Sequence, residues 1–183
     1  MIGFDAYRAP ALQTERLLLE PLNAWHGESL YPGLKEPMLY VYIPKEPPLS
    51  TSELSRRYEK LEQQRSPDGA QLWLNWAARR KDGGYVGVVE ATVERDGAAV
   101  VGYTVFMASQ GQGYGVEAVG GMLTHLAEIG VQSVTAFIDT RNAASIKLVE
   151  RLGFGRVTTH VMREKLRGRW VDDHEYCKSL APG

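Results

Sequence analysis

A single cysteine, Cys177, stands in a chain of 183 residues. No disulfide can form within it, and its cysteine usage gives no sign of an oxidising compartment. The four histidines, His26, His125, His160 and His174, lie singly and far apart. They lack the spacing of a ligand set, so no metal is expected. An excess of charge is missing too: 21 Lys and Arg against 22 Asp and Glu leave a formal net charge of -1. Whole-molecule attraction to nucleic acid or to an anionic membrane is therefore not expected. The uncharged stretch 97–116 is interrupted by Ser109, Gln110, Gln112 and several glycines, too often for a membrane span. Residues 1–10 lack the basic-then-apolar order of a signal peptide. No internal repeat or low-complexity segment occurs, and the expectation is one cytoplasmic domain over residues 1–183.

The elements that are present follow from periodicity and punctuation. Thr14 to Leu22 reads as a first strand with Leu17 and Leu19 on one face, and Asn23 is placed to cap a short helix. Five prolines from Pro32 to Pro48 predict an irregular, aromatic-bearing segment over 31–48, of the kind that forms substrate walls. Ser50 and Glu53 form a capping box for a helix reaching about Arg65. Period-2 runs follow at Leu72 to Trp76, Tyr85 to Glu94 and Ala98 to Met107, joined by turns at Lys81-Asp82-Gly83-Gly84 and Asp96-Gly97. A helix from near Val116 to Ile129 ends at Gly130. Val134 to Ile138 is the next strand, Asn142 caps a helix to Leu152, and residues from Gly155 onward form a hairpin turning at Arg167-Gly168. The order is β-α-α-βββ-α-β-α-ββ, an α+β (mixed α/β) fold with a twisted, mostly antiparallel sheet flanked by helices.

The chemistry concentrates at Gln110-Gly111-Gln112-Gly113-Tyr114-Gly115, between an apolar strand and a helix. Alternating glycines leave backbone N–H groups bare at the positive end of a helix, which suits a diphosphate. Counted from Gly113 and Gly115 the run also passes as a dinucleotide-binding fingerprint, with Asp139 downstream as the ribose ligand. The setting argues otherwise, because an antiparallel meander precedes the loop and only one crossover follows it. A local excess of basic residues between Arg141 and Arg169 (Arg141, Lys147, Arg151, Arg156, Arg163, Lys165, Arg167, Arg169) suits either phosphate groups or a solvated face.

Together with Asn142-Ala143-Ala144-Ser145 and Leu152-Gly153-Phe154, the loop resembles the acetyl-CoA core of the GNAT superfamily of N-acetyltransferases. The run Asn142, Ser145, Ile146, Glu150, Leu152, Gly153, Phe154 is similar to the branch acting on ribosomal-protein N-termini (RimJ/RimL-type). The resemblance implies that Gln110, Gly113 and Gly115 occupy the family's loop positions, with Gly111, Gln112 and Tyr114 between them taking the pyrophosphate. It also implies that backbone groups of Val105, Phe106 and Met107 pair with the pantetheine arm, and that Asn142 binds that arm while Ser145 approaches the thiol. Acetyl-CoA is then the cosubstrate, an amine the acceptor, and a homodimer the oligomeric expectation.

Two positions depart from the family pattern. Val149 replaces a tyrosine that protonates the leaving thiolate, and Val100 stands where an acidic residue often precedes Gly102-Tyr103. Ser145 is then the expected proton donor. Glu90, ionisable within the apolar run Val86 to Ala91, is the expected base on the argument that burial would raise its pKa. Tyr103 or His160 could relay the proton through water. Cys177 has no His or Asn constellation beside it and is not an acyl nucleophile. The acceptor remains open between a protein N-terminus and a small-molecule amine or antibiotic, and a non-catalytic acyl-CoA binding module is the alternative from another class.

Overall fold

The computed structural model describes residue 4 and residues 6–181. Its centre is an eight-stranded sheet of β1 (Leu12–Gln13), β2 (Leu17–Pro21), β3 (Leu72–Arg80), β4 (Tyr85–Val93), β5 (Ala98–Val105), β6 (Ser133–Asp139), β7 (Gly155–Leu166) and β8 (Arg169–Ser179). The spatial order is β1-β2-β3-β4-β5-β6-β8-β7. Every neighbouring pair is antiparallel except β5 and β6. Helices α1 (His26–Leu34) and α2 (Thr51–Leu61) cover one face, while α3 (Tyr114–Glu128) and α4 (Ala143–Arg151) cover the other.

Alternation along the strands divides the core in two. Leu17, Leu19, Leu74, Trp76, Val89 and Ala91 meet Val119, Met122 and Leu126 of α3, all buried in the larger cluster. On the opposite face Leu22, Ala77 and Phe106 meet Leu30, Leu34, Leu54 and Tyr58. Burying each of these larger side chains contributes roughly 1.5–3 kcal/mol.

The expected element order holds, with local differences. Thr14 to Arg16 is a turn rather than strand, since Thr14 N–H donates to Leu17 O at 3.0 Å and brings β1 back against β2. Pro32 does not break α1, which runs on to Leu34 because Leu30 and Leu34 bury against the sheet. A short 3-10 turn, Pro37–Tyr40, then orders part of the proline-rich segment. Asn23 accepts from Trp25 N–H at 3.1 Å instead of capping the helix directly. The predicted signals elsewhere act as read. Ser50 Oγ accepts from Glu53 N–H at 3.1 Å, and Arg167 and Gly168 both take positive φ in the last hairpin turn.

The N-terminal segment is tied to α3 through His125. Tyr7 Oη lies 2.5 Å from His125 Nε2, and Trp76, edge-on to the same ring, donates its indole N–H to Pro10 O at 2.9 Å. Burial holds the His125 imidazole below its ordinary pKa, against an opposing pull from Glu128. The unfolded chain takes up this proton near pH 6.5, whereas the folded chain resists it. The neutral ring's contribution is thus complete above about pH 6.5 and is lost as pH falls toward the lower folded value. Denaturant melts at pH 7.5 and 5.5 should show lower stability at 5.5, and His125→Gln should shrink that drop. An undiminished drop in the variant would exclude His125 as its source.

Candidate active site

Strands β5 and β6 run parallel in register only at Ala98, Ala99 and Val100 against Ser133, Val134 and Thr135. Beyond those residues β6 continues to Asp139 paired with β8, and β5 continues to Val105 paired with β4. The sheet is split between them. Phe106 N–H donates to Val86 O at 2.8 Å, so strand alternation turns the amides of Phe106, Thr104 and Gly102 toward β4. The same alternation turns those of Tyr103 and Val105 into the split. This revises the expected contact residues. Val105 stands on the open edge, with its carbonyl accepting from Gln110 Nε2 at 3.1 Å. Phe106 points its amide away and buries its ring against α1. Met107 enters the 3-10 turn Met107–Ser109, and the edge begins earlier, at Tyr103.

The glycine loop closes one end of the split. Gly113 caps α3 with φ 83°, a left-handed conformation costly for other residues, and among the described residues no side chain caps the helix. The N–H groups of the first turn are therefore free for an anion. Gly115 serves packing as well, since a Cβ there would lie 2.7 Å from Leu148 of α4 and 3.1 Å from Val105. Gly111 has φ 74° with open space around it, and Gln112 folds its side chain back on Ala108 O at 2.8 Å.

A clamp from the far edge of the sheet, unforeseen in the sequence, fixes this loop. Glu117, in the first turn of α3, accepts from Thr14 Oγ1, Arg16 N and Arg16 Nε, each at 2.6 Å. Arg16 also donates to Gln112 O at 3.0 Å and lies over the Tyr114 ring. Burial works to raise the Glu117 carboxyl, but these donors outweigh it and hold it below the usual carboxylate range. Only the proximity of Thr14-Glu15-Arg16 to the loop in space makes the role visible.

At the other side of the split stands the N-terminus of α4. Asn142 Oδ1 accepts from Ser145 N–H at 3.2 Å, so the cap is formed, and its NH₂ makes no hydrogen bond among the described residues. Tyr103 Oη donates to Ser145 O at 3.2 Å. Burial pushes the Tyr103 phenol up to about 12, so it keeps its proton at neutral pH and acts as a donor, not as a base. Val149 is fully buried.

Two cavities meet here. One, on the α3/α4 side, is lined by Val105, Gln110, Gly113, Gly115, Lys147 and Arg151 among others. The second, on the α1/α2 side, is lined by Tyr58, Asn75, Glu90, Phe137, Asp139 and Asp173 among others. Tyr103, Thr104, Asn142 and Ser145 border both. Glu90 reaches the second cavity, but not as expected. Its side chain lies over Gly102, is 45% exposed and stands 4.0 Å from Lys45 Nζ, so the expected burial is not found. His160 lines neither cavity and lies 2.6 Å from Glu175. Cys177 is half-buried beside Thr135 on β6. The basic run divides: Lys147 and Arg151 line the first cavity, whereas Arg141 and Arg163 pair with Asp139 and Asp173, and Arg167 bonds Tyr40 O. Among the described residues no group of three or more His, Cys, Asp or Glu is placed to hold a metal, and no helix is long and apolar enough to cross a membrane.

The sequence profile of the Acetyltransferase (GNAT) domain matches residues 16–155, well over half of the chain. The chain belongs to the GNAT acetyltransferase family. No protein of curated function matches its sequence at a significant level. Solved structures share the GNAT fold. The ribosomal-protein-S5-alanine acetyltransferase from Vibrio fischeri superposes with TM-score 0.82 at 17% identity, covering 94% of this chain and 97% of its own. RimL, a ribosomal L7/L12 alpha-N-protein acetyltransferase in complex with coenzyme A, gives 0.80 at 20% identity, covering 93% and 98%. A spermidine N-acetyltransferase from Vibrio cholerae in complex with CoA and spermine gives 0.76 at 18% identity, covering 90% and 96%. This GNAT protein is thus an N-acetyltransferase that uses acetyl-CoA.

A Gly113→Val variant places a branched Cβ in a left-handed conformation at the mouth of α3, 3.2 Å from Arg16 Nη2. Acetyl-CoA affinity should fall by at least about tenfold by calorimetry as the anion loses its approach to the loop amides. Unchanged affinity would remove the loop from the cofactor site.

Proposed function

We propose that this N-acetyltransferase transfers acetyl from acetyl-CoA directly to a primary amine, and that the amine is the α-amine of a protein N-terminus. What carries the reading is the meeting of two cavities at the split between β5 and β6, bordered on both sides by Tyr103, Asn142 and Ser145. The cofactor enters from the glycine-loop side and the acceptor from the α1/α2 side. Acetyl-CoA supplies an activated acyl thioester. The amides of Tyr103 and Val105 are turned toward its carbonyl, and one such donor aimed at a developing oxyanion is worth about 2.7–4 kcal/mol. The loop amides of residues 111–115 hold the pyrophosphate, with Lys147 and Arg151 alongside.

Ser145 donates the proton to the leaving thiolate. Its hydroxyl makes no hydrogen bond among the described residues, and its backbone is fixed by Asn142 on one side and Tyr103 on the other. A protein N-terminus is favoured by the Asn142 to Phe154 run and by the breadth of the acceptor cavity, which reaches from Tyr42, Pro44 and Pro48 to Glu164 and Leu166 of β7. A small polyamine is the second reading, because Glu90, Glu164 and Asp173 face the same cavity. The working context is cytoplasmic, without membrane or direct nucleic-acid contact. A second copy of the chain would add along the β7 edge, where Val157, Val161 and Met162 are exposed.

A panel of N-terminal peptides and small amines, read by release of free thiol from acetyl-CoA, tests the acceptor. The expected result is faster turnover on peptides. Preference for polyamines would select the second reading, and tight acetyl-CoA binding without turnover would mark an acyl-CoA binding module. On the best acceptor, Ser145→Ala should lower kcat by about 10²- to 10⁴-fold with little change in acetyl-CoA affinity. Full activity would assign the proton to water.

A further inference from the structure

Removal of a proton from the acceptor needs a carboxylate placed against an ammonium, and the acceptor cavity holds one that the sequence did not single out. Asp173 lies on β8 directly opposite Asp139 of β6 and His160 of β7. It lines the same cavity as Asn142 and Ser145 and is 7% exposed.

The two facing carboxylates are unequal. Asp139 is saturated: Arg141 donates to it from its backbone N–H at 2.9 Å, from Nε at 2.8 Å and from Nη2 at 2.5 Å. The Asp173 carboxylate receives no hydrogen bond from the described residues. Its ion-pair partner among the described residues is Arg163, with Nε 3.5 Å from Oδ2, and that guanidinium sits over the Phe137 ring, 3.6 Å from its centroid. A buried carboxylate so weakly compensated gains from a second cation arriving through the cavity.

We propose that Asp173 receives the acceptor ammonium and accepts its proton before attack. This rests on the N-acetyltransferase reading above. One N–H proton passes from the ammonium to the Asp173 carboxylate, and the freed lone pair forms an N–C bond to the thioester carbonyl carbon. The C–S bond then breaks with its electron pair on sulfur. The thiolate takes a proton from Ser145, which is restored by the second proton lost from the acylated nitrogen. Asp173 releases its proton to solvent, so acetyl-CoA and an ammonium give the amide, free thiol and one proton.

The surroundings suit the role. Burial raises the Asp173 carboxyl above the usual carboxylate range; Arg163 and His160 pull it down, while Glu164 from β7 and Asp139 from β6 add to the rise. Glu175, on the same strand, is engaged with His160. A raised value brings a carboxylate closer to the range useful for a base at neutral pH.

The test is kcat/KM against pH for the best amine of the panel. Asp173→Asn should lower kcat/KM by about 10²- to 10⁴-fold and abolish the acidic limb not due to the amine itself, with acetyl-CoA affinity within about threefold of wild type. Arg163→Gln, which keeps the carboxylate but removes its cation, should move that limb to higher pH, because the ionised form loses its partner. That second variant decides the matter even where Asp173→Asn fails to fold. The proposal is overturned by a limb that persists in Asp173→Asn at rates within threefold, by one unmoved in Arg163→Gln, or by one lost in Glu90→Gln but kept in Asp173→Asn. Wild-type protein that binds acetyl-CoA yet acetylates no amine removes the catalytic reading and this role together. Turnover in the wild type with an unaltered Asp173→Asn profile removes the role of Asp173 alone.

Discussion

The early parting of β5 and β6 is the constraint on which the site depends. Two parallel strands that stop pairing after three residues leave backbone N–H and C=O groups facing a gap inside the sheet, and such groups demand partners. Water or a ligand with its own amides can meet that demand, whereas an apolar side chain cannot. The gap persists because both strands are committed elsewhere: β5 is held along its length by β4, and β6 by β8. Opening the sheet therefore breaks no other ladder, and it brings the N-termini of α3 and α4 to the two sides of one slot. The positive ends of two helix dipoles, the edge amides of β5 and the uncapped first turn of α3 then favour a phosphate-bearing amide chain.

Distant segments hold that slot in shape. The β1–β2 turn reaches under the glycine loop through Arg16 and Thr14 to Glu117, so the far edge of the sheet sets the position of α3. The β7–β8 turn reaches the other way, with Arg167 Nη2 donating to Tyr40 O at 2.9 Å, and it links the hairpin to the segment that walls the acceptor cavity. Each contact ties a loop that meets ligand to a rigid element, the arrangement expected where loops carry function on a fixed scaffold.

Local chemistry was legible in the sequence. Ser50 with Glu53, Gly113, Gly130 and Asn142 act where their spacing placed them, because caps and left-handed positions depend on a few neighbouring residues. What escaped depends on register and on contacts between remote segments. Which of Tyr103, Val105 and Phe106 turn their amides into the gap follows from pairing with β4, and a one-residue slip would reverse it. Glu90 in a valine-rich strand reads as buried, yet its neighbour across the strand is Gly102, which has no side chain to cover it. Asp173 looks like one more charge in a charged hairpin until β6 and β7 close on both sides of it. Pro32 misleads for a related reason, since burial of Leu30 and Leu34 offsets the lost helical hydrogen bond.

The central claim is that acetyl-CoA fills the gap between β5 and β6. Amide hydrogen exchange with and without acetyl-CoA addresses it most directly. The account predicts that the amides of Tyr103, Val105 and residues 113–116 gain protection on binding, while the outer edge of β7 exchanges as before. Protection confined to other segments, or none in β5 and the glycine loop at saturating acetyl-CoA, would contradict it.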